Sequence, residues 1–222
     1  PYEIINPKSQ GLLERNYGKA FTLATIASAH NSLGNYQKAI DYSNQSLPLA
    51  RANQNFDAEV LALISAGSAY SSLGKYKKSI SQLKQGIALM PAVNNNKLKS
   101  LALSLLSSIY ASRKEYKKAL DSAQKGLKTA QKYANYSPGD LVFPLFVLSG
   151  IYLNLGEYDK AIKLAQKNLA FTKANKYDSD TDTEKRLQIK ALSLSLTSNA
   201  YLDKKEYQKA INTRQEELAK LP

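Results

Sequence analysis

The residues that could do chemistry in this chain are few. His30 is its one histidine and cysteine is absent, so disulfides, thiolate nucleophiles, thiolate metal sites and a His–His zinc pair are excluded together. His30 could act as a general base, or it could be a core residue. The acidic stretch from Asp178 to Glu184, with Asp180 and Asp182, invites a calcium reading. An EF-hand loop would need Gly at its sixth place and Glu at its twelfth; Thr183 and Ile189 stand there. Thr181 followed three residues later by Glu184 is better read as a capping box opening a helix. The ten glycines form no phosphate-cradling loop, and no paired-carboxylate or nucleophile motif occurs. The expectation is a protein without catalytic activity, cofactor or metal.

The remaining signal is repetition. The segment Leu33-Gly34-Asn35-Tyr36-Gln37-Lys38-Ala39-Ile40 returns around Tyr76, Tyr116, Tyr158 and Tyr207, at intervals of 40, 40, 42 and 49 residues. Six residues before each tyrosine lies another ring: His30, Tyr70, Tyr110, Tyr152 and Tyr201. His30 thus holds a place where the other units put tyrosine, which favours its core reading. Three residues after each tyrosine lies a small side chain: Ala39, Ser79, Ala119, Ala161 and Ala210. Upstream of the turn, Leu63, Ala66, Gly67 and Tyr70 recur at i, i+3, i+4, i+7, one face of a helix. Gly34, Gly74 and Gly156 suit the left-handed residue that ends such a helix; Lys114 and Lys205 take that place at a conformational cost. A second helix begins near each repeated tyrosine. Small residues on both facing stripes, such as Gly67 and Ser79, would let paired helices approach closely.

The spacing resembles the tetratricopeptide repeat, most fully in Leu63, Ala66, Gly67, Tyr70, Gly74, Tyr76, Ser79, Leu83, Gly86 and Pro91. The period of 40 to 42 is similar to that of kinesin light chains and of bacterial signalling arrays fused to effector domains such as caspase-like proteases or kinases. The resemblance implies an all-α, right-handed superhelical solenoid of antiparallel helix pairs. Its repeats are expected at about 17–55, 56–96, 97–137, 138–182 and 183–222, with 1–16 a lead-in or the tail of a preceding repeat. Tryptophan is missing from the first signature place, and Arg214 replaces an expected apolar residue. Pro48 should kink or stop the second helix of the first unit, and Pro144 should kink or stop the chain's helix near the start of the fourth unit. The opening Pro1-Tyr2-Glu3 has no Met or signal-like segment, so the sequence reads as a piece of a longer protein. The expected setting is a bacterial cytoplasm.

In such a fold the first helices line a concave groove, and their residues off the core stripe project into it. Those most expected to meet a partner are Phe21, Ser28 and Ser32; Leu61, Ile64, Ser68 and Ser72; and Leu101, Ser104, Ser108 and Ser112. The later units add Phe143, Phe146, Asn154 and Asn199. No Lys or Arg holds these places, so the groove lacks the clamp with which chaperone-binding relatives grip a carboxylate. A peptide or helix of a protein partner, or of an effector domain in the same full-length chain, is the expected occupant.

The formal charge of +13 falls mainly on the second helices, which hold 17 Lys and Arg against 5 acids in 36–52, 76–90, 116–132, 158–174 and 207–221. Because 26 of the 31 basic residues are Lys, bidentate nucleic-acid readout is disfavoured. A solvated convex face is the first reading, and binding of nucleic acid or an anionic surface is the alternative. The longest apolar run, 141–155, is too short to cross a bilayer and is broken by Pro144, Ser149 and Gly150.

Overall fold

A computed structural model describes residues 7–93, 95–133, 138–173 and 180–218. Among these residues the fold is all-α. The helices are α1 (Pro7–Ser32), α2 (Tyr36–Ala52), α3 (Phe56–Ser72), α4 (Tyr76–Val93), α5 (Asn96–Ser112), α6 (Tyr116–Tyr133), α7 (Val142–Asn154), α8 (Tyr158–Lys173), α9 (Asp180–Asp203) and α10 (Tyr207–Leu218). A 3-10 turn, Pro138–Leu141, leads into α7. Every second helix of a pair opens on its repeated tyrosine. The chain divides into two compact units, residues 1–109 and 110–222.

Each first helix ends in the same turn, whose hydrogen bonds explain why the repeat needs the residues it has. In the second unit of the sequence, Lys75 N–H donates to Tyr70 O at 2.8 Å and Gly74 N–H to Ser71 O at 2.9 Å. This is a Schellman closure, which satisfies carbonyls orphaned at a helix end but requires one left-handed residue. Gly34, Gly74 and Gly156 have φ of 74°, 70° and 75°. Lys114 and Lys205 adopt the same conformation, at 60° and 63°. The expected cost is therefore present in the third and fifth turns.

In residues 1–109, α1 packs on α2 and α3, and α3 on α4. The core is built largely of alanine: Ala24, Leu47, Ala62 and Leu63 form one buried cluster, and Ala39, Ile40 and Ala69 another. Tyr36 and Tyr70 flank the second cluster. In residues 110–222, α7 packs on α8, α8 on α9 and α9 on α10. Ala130, Leu141 and Leu145 are buried there together.

Pro48 does not stop its helix: α2 continues to Ala52. Pro48 and Asn44, whose carbonyl loses its intrahelical donor, are both exposed, so water can satisfy that carbonyl. Pro144 is the third residue of α7, within the first turn, where a missing N–H costs little. Helix α9 starts at Asp180, one residue ahead of Thr181. Asp178 and Ser179, and the side chains of the acidic stretch and capping box, lie outside the described residues.

The closest approach of paired helices sits where small residues face each other. Ser79 Oγ donates to Gly67 O at 2.6 Å. In α7–α8 and α9–α10 the hydroxyl is on the opposite helix: Ser149 donates to Ala161 O at 2.8 Å and Ser198 to Ala210 O at 3.3 Å. A Cβ at Gly67 would lie 2.8 Å from Leu83 Cγ and 2.9 Å from its Cδ2. Where the first helix carries Ser149 in the fourth unit, the place of Leu83 is taken by Ala165. The expected consequence is a coupled pair. Gly67→Ala costs about 1–3 kcal/mol by overpacking and Leu83→Ala about 2–5 kcal/mol by cavity formation. The double variant should cost clearly less than their sum in urea denaturation; strict additivity would show that the two sites do not share a packing constraint.

Candidate functional site

The groove of the first helices was the surface expected to carry function, with the lysine-rich face of the second helices as the alternative. In residues 1–109 the first helices α1, α3 and α5 do form an open trough. One chamber, of about 280 Å³, is lined by Ser28, Ser32, Leu61, Ile64, Ser68 and Leu101, with Asn31, Ser65, Leu98 and Leu105. A second, of about 450 Å³, is lined by Tyr17, Phe21, Asp57, Leu61, Asn95 and Leu98. Leu61 and Leu98 belong to both. Six of the sequence-derived positions thus line the first chamber, and Phe21 lines the second.

The trough is held in shape by polar contacts in and beside its walls. Asn31 Nδ2 donates to Ser65 O at 2.7 Å, joining α1 to α3. Asn55 caps α3 by accepting from Ala58 N–H at 3.0 Å, and its amide donates to Tyr17 O at 3.0 Å. Because a buried amide satisfied on both sides has few alternative positions, Asn55 fixes where Tyr17 and the start of α3 meet. Asn95, in the corresponding place before α5, accepts from Leu98 N–H at 3.1 Å.

The other expected positions are placed differently. Ser104 is fully buried, and it does not line either chamber. Ser72 and Ser112 are exposed near helix ends, and Ser108 is half-buried. In residues 110–222, Phe143 and Asn154 are exposed and Phe146 half-buried; Asn154 donates to Gly150 O at 3.0 Å. Asn199 is engaged within the chain: Arg214 donates to its Oδ1 at 3.0 Å and to Ser195 Oγ at 3.5 Å. Arg214 occupies the place of Leu83, so its head group replaces apolar contact with hydrogen bonds along α9. His30 stacks on Tyr42, with ring centroids 5.2 Å apart and planes 11° apart. No cluster of three His, Asp or Glu suited to a metal occurs among the described residues.

The lysine face has an internal role that composition did not reveal. Lys78, Lys118, Lys160 and Lys209, each two residues after its tyrosine, lie over the rings of Tyr70, Tyr110, Tyr152 and Tyr201 at 5.2–5.6 Å. A cation over a ring face is worth about 0.5–1 kcal/mol at exposed sites. Three of these lysines also pair with the acid three residues earlier: Lys118 with Glu115 at 2.6 Å, Lys160 with Glu157, and Lys209 with Glu206 at 2.6 Å. Hydrogen bonds from Lys118 and Arg113 hold the Glu115 carboxyl below the usual carboxylate range. Lys209 and Lys204 do the same for Glu206.

A carboxyl whose pKa is depressed by folding contributes stability above its ordinary value and loses that contribution as pH falls through the folded value. The gap in melting temperature between the wild type and the Glu115→Gln/Glu206→Gln variant should therefore be present near about pH 7 and close toward about pH 3. An equal gap at both pH values would show that the difference does not come from these ion pairs.

Comparison with known proteins agrees with this architecture. Residues 18–92 match the tetratricopeptide repeat family. No curated protein sequence matches the chain. BtubC (BKLC) from P. vanneervenii is similar over 96% of this chain and 92% of its own, with TM-score 0.69 and 15% identity. A Podosopora anserina protein named for kinesin light chain, with nearly identical TPR-like repeats, matches over 89% of this chain and 92% of its own, with TM-score 0.66 and 15% identity. A Rap protein complexed with Competence and Sporulation Factor matches over 91% of this chain and 63% of its own, with TM-score 0.63 and 16% identity. At such identities the likeness shows the fold: helix pairs of the tetratricopeptide type, as the repeated Tyr and Gly spacing had indicated.

Proposed function

We propose that this chain, a tetratricopeptide repeat protein, is a non-catalytic interaction module that captures a peptide or helix of a protein partner in the trough of α1, α3 and α5. The partner could equally be an effector domain of the same full-length protein. The observation that carries the reading is the lining itself. Leu61, Leu98 and Leu101 give the trough an apolar floor, while Ser28, Ser32 and Ser68 offer hydroxyls that can bond a peptide backbone. Its chambers exceed the roughly 150 Å³ that accommodates a benzene-sized guest, so each can take a side chain. The kinesin-light-chain and Rap folds support an interaction role by likeness of architecture.

The alternative, binding of nucleic acid or an anionic surface through the second helices, would use lysines of which four already lie over tyrosine rings. Peptides selected on the immobilised chain from a displayed random library provide the test. Ser28→Lys/Ser68→Lys should weaken them by at least about tenfold, ~1.4 kcal/mol, with helicity and melting temperature nearly unchanged. Undiminished binding by a folded double variant would remove the trough as the site. A further control separates the alternative: binding that falls steeply with salt and survives the double variant belongs to the lysine face.

A further inference from the structure

The two chambers differ in chemistry, and the difference points to what the trough selects. In a chain of net charge +13, the one charged residue lining either chamber is acidic, Asp57. Asp57 lies in the first turn of α3, where an acid favours the helix N-terminus. That local role accounts for an acid at this end of the helix, but leaves its carboxylate exposed. The neighbouring acid, Glu59, accepts from Arg51 at 2.7 Å. Asp57 makes no ion pair among the described residues.

Beside it in the same chamber stand Tyr17 and Phe21, 48% and 47% exposed. Elsewhere the chain covers first-helix rings with its own cations: Lys78, Lys118, Lys160 and Lys209 lie over Tyr70, Tyr110, Tyr152 and Tyr201. Tyr17 and Phe21 carry no such lysine among the described residues. An uncovered pair of aromatic side chains next to an unpaired carboxylate is the arrangement that receives an ammonium or guanidinium group, since both ring faces and carboxylate favour a cation. The adjoining 280 Å³ chamber holds leucines, one isoleucine, serines and an asparagine, with no charge.

We infer that the trough recognises a basic–apolar peptide segment. A Lys or Arg side chain would sit between Asp57, Tyr17 and Phe21, and a neighbouring apolar side chain would enter the chamber of Leu61, Ile64 and Leu101. The inference rests on the trough being the binding site and adds the chemistry of the occupant. It sets the trough apart from a carboxylate-gripping groove: acidic segments meet Asp57 without a compensating cation among the lining residues.

The test is to select displayed random 12-residue peptides on the wild-type chain, on Asp57→Lys and on Ser28→Lys/Ser68→Lys, all checked for unchanged helicity. Wild type should enrich Lys or Arg adjacent to Phe, Leu or Ile. Asp57→Lys should shift the enriched charge to Asp or Glu. Asp57→Asn should weaken a synthetic wild-type-selected peptide about threefold to tenfold, and a change of its basic residue to norleucine should abolish that dependence on Asp57. Selected peptides that are lost on Ser28→Lys/Ser68→Lys but show no basic preference, or the same preference on Asp57→Lys, would overturn this inference and leave the trough standing. Failure to select any peptide, or selection unaffected by Ser28→Lys/Ser68→Lys, would overturn both.

Discussion

Everything else in the fold depends on how near two antiparallel helix backbones come at one small-residue contact. At Gly67 and Ser79 a hydroxyl reaches the facing carbonyl at 2.6 Å, an approach that a larger side chain on either helix would prevent. The contact recurs with its chemistry reversed in Ser149 with Ala161 and Ser198 with Ala210. What the sequence keeps is therefore neither a residue nor a side of the pair, but space for one hydroxyl between two backbones. A second near approach lies farther along each pair. Ser46 donates to Ala20 O at 2.7 Å and Asn168 to Val142 O at 3.2 Å, while the corresponding place in α4 is Gly86, whose added Cβ would make only ordinary contacts. Alanine-rich cores follow from this spacing, because close-set helices leave little room for larger apolar side chains.

Much of this was legible before any coordinates because it is periodic. Helices α2, α4, α6, α8 and α10 all begin at a tyrosine that the spacing had singled out, and the left-handed turns include Lys114 and Lys205 despite their side chains. What escaped is of two kinds. Pro48 was read through its intrinsic effect on a helix, whereas the exposed setting of Asn44 and Pro48 lets solvent absorb that effect. Gln54 takes φ of 50° in a closure like those of the glycine turns, with Asn55 N–H donating to Ala50 O at 2.8 Å, but glutamine carries no sign of it. The lysines were counted as solvated charge, and the tyrosines as core. The i+8 spacing across a turn, Tyr70 to Lys78, was visible in four units, yet only the hairpin geometry converts it into contact.

The candidate site was legible in outline for the same reason. Helical periodicity places Ser28, Ser68 and Leu101 on corresponding faces, and they line one trough. It could not show that Asn199 would be taken up by Arg214, since that contact depends on the single unit in which a long cation stands where the others have Ser43, Leu83, Ala123 and Ala165. Nor did it separate Ser104, which turns into the packing, from Ser108. A position one residue to either side of a helix stripe rotates by about 100° in a 3.6-residue turn, so the boundary between lining and core is decided by the local tilt of neighbouring helices.

The distribution of charge then has a consistent physical meaning. Four lysines of the second helices lie over first-helix rings, and three of these also pair with acids at their own turns, so part of the net +13 is committed to joining the helices of four of the pairs. The trough is lined by first helices, and an α-helix with its side chains is about 10–12 Å across. That distance is comparable to or greater than the screening length of about 8 Å at physiological salt. A ligand in the trough is therefore governed less by the total charge of the chain than by the few groups that line its walls. Among those groups only Asp57 is charged. A strongly basic protein can in this way present a trough of the opposite local sign, because 17 of its 31 basic residues lie in the second-helix segments.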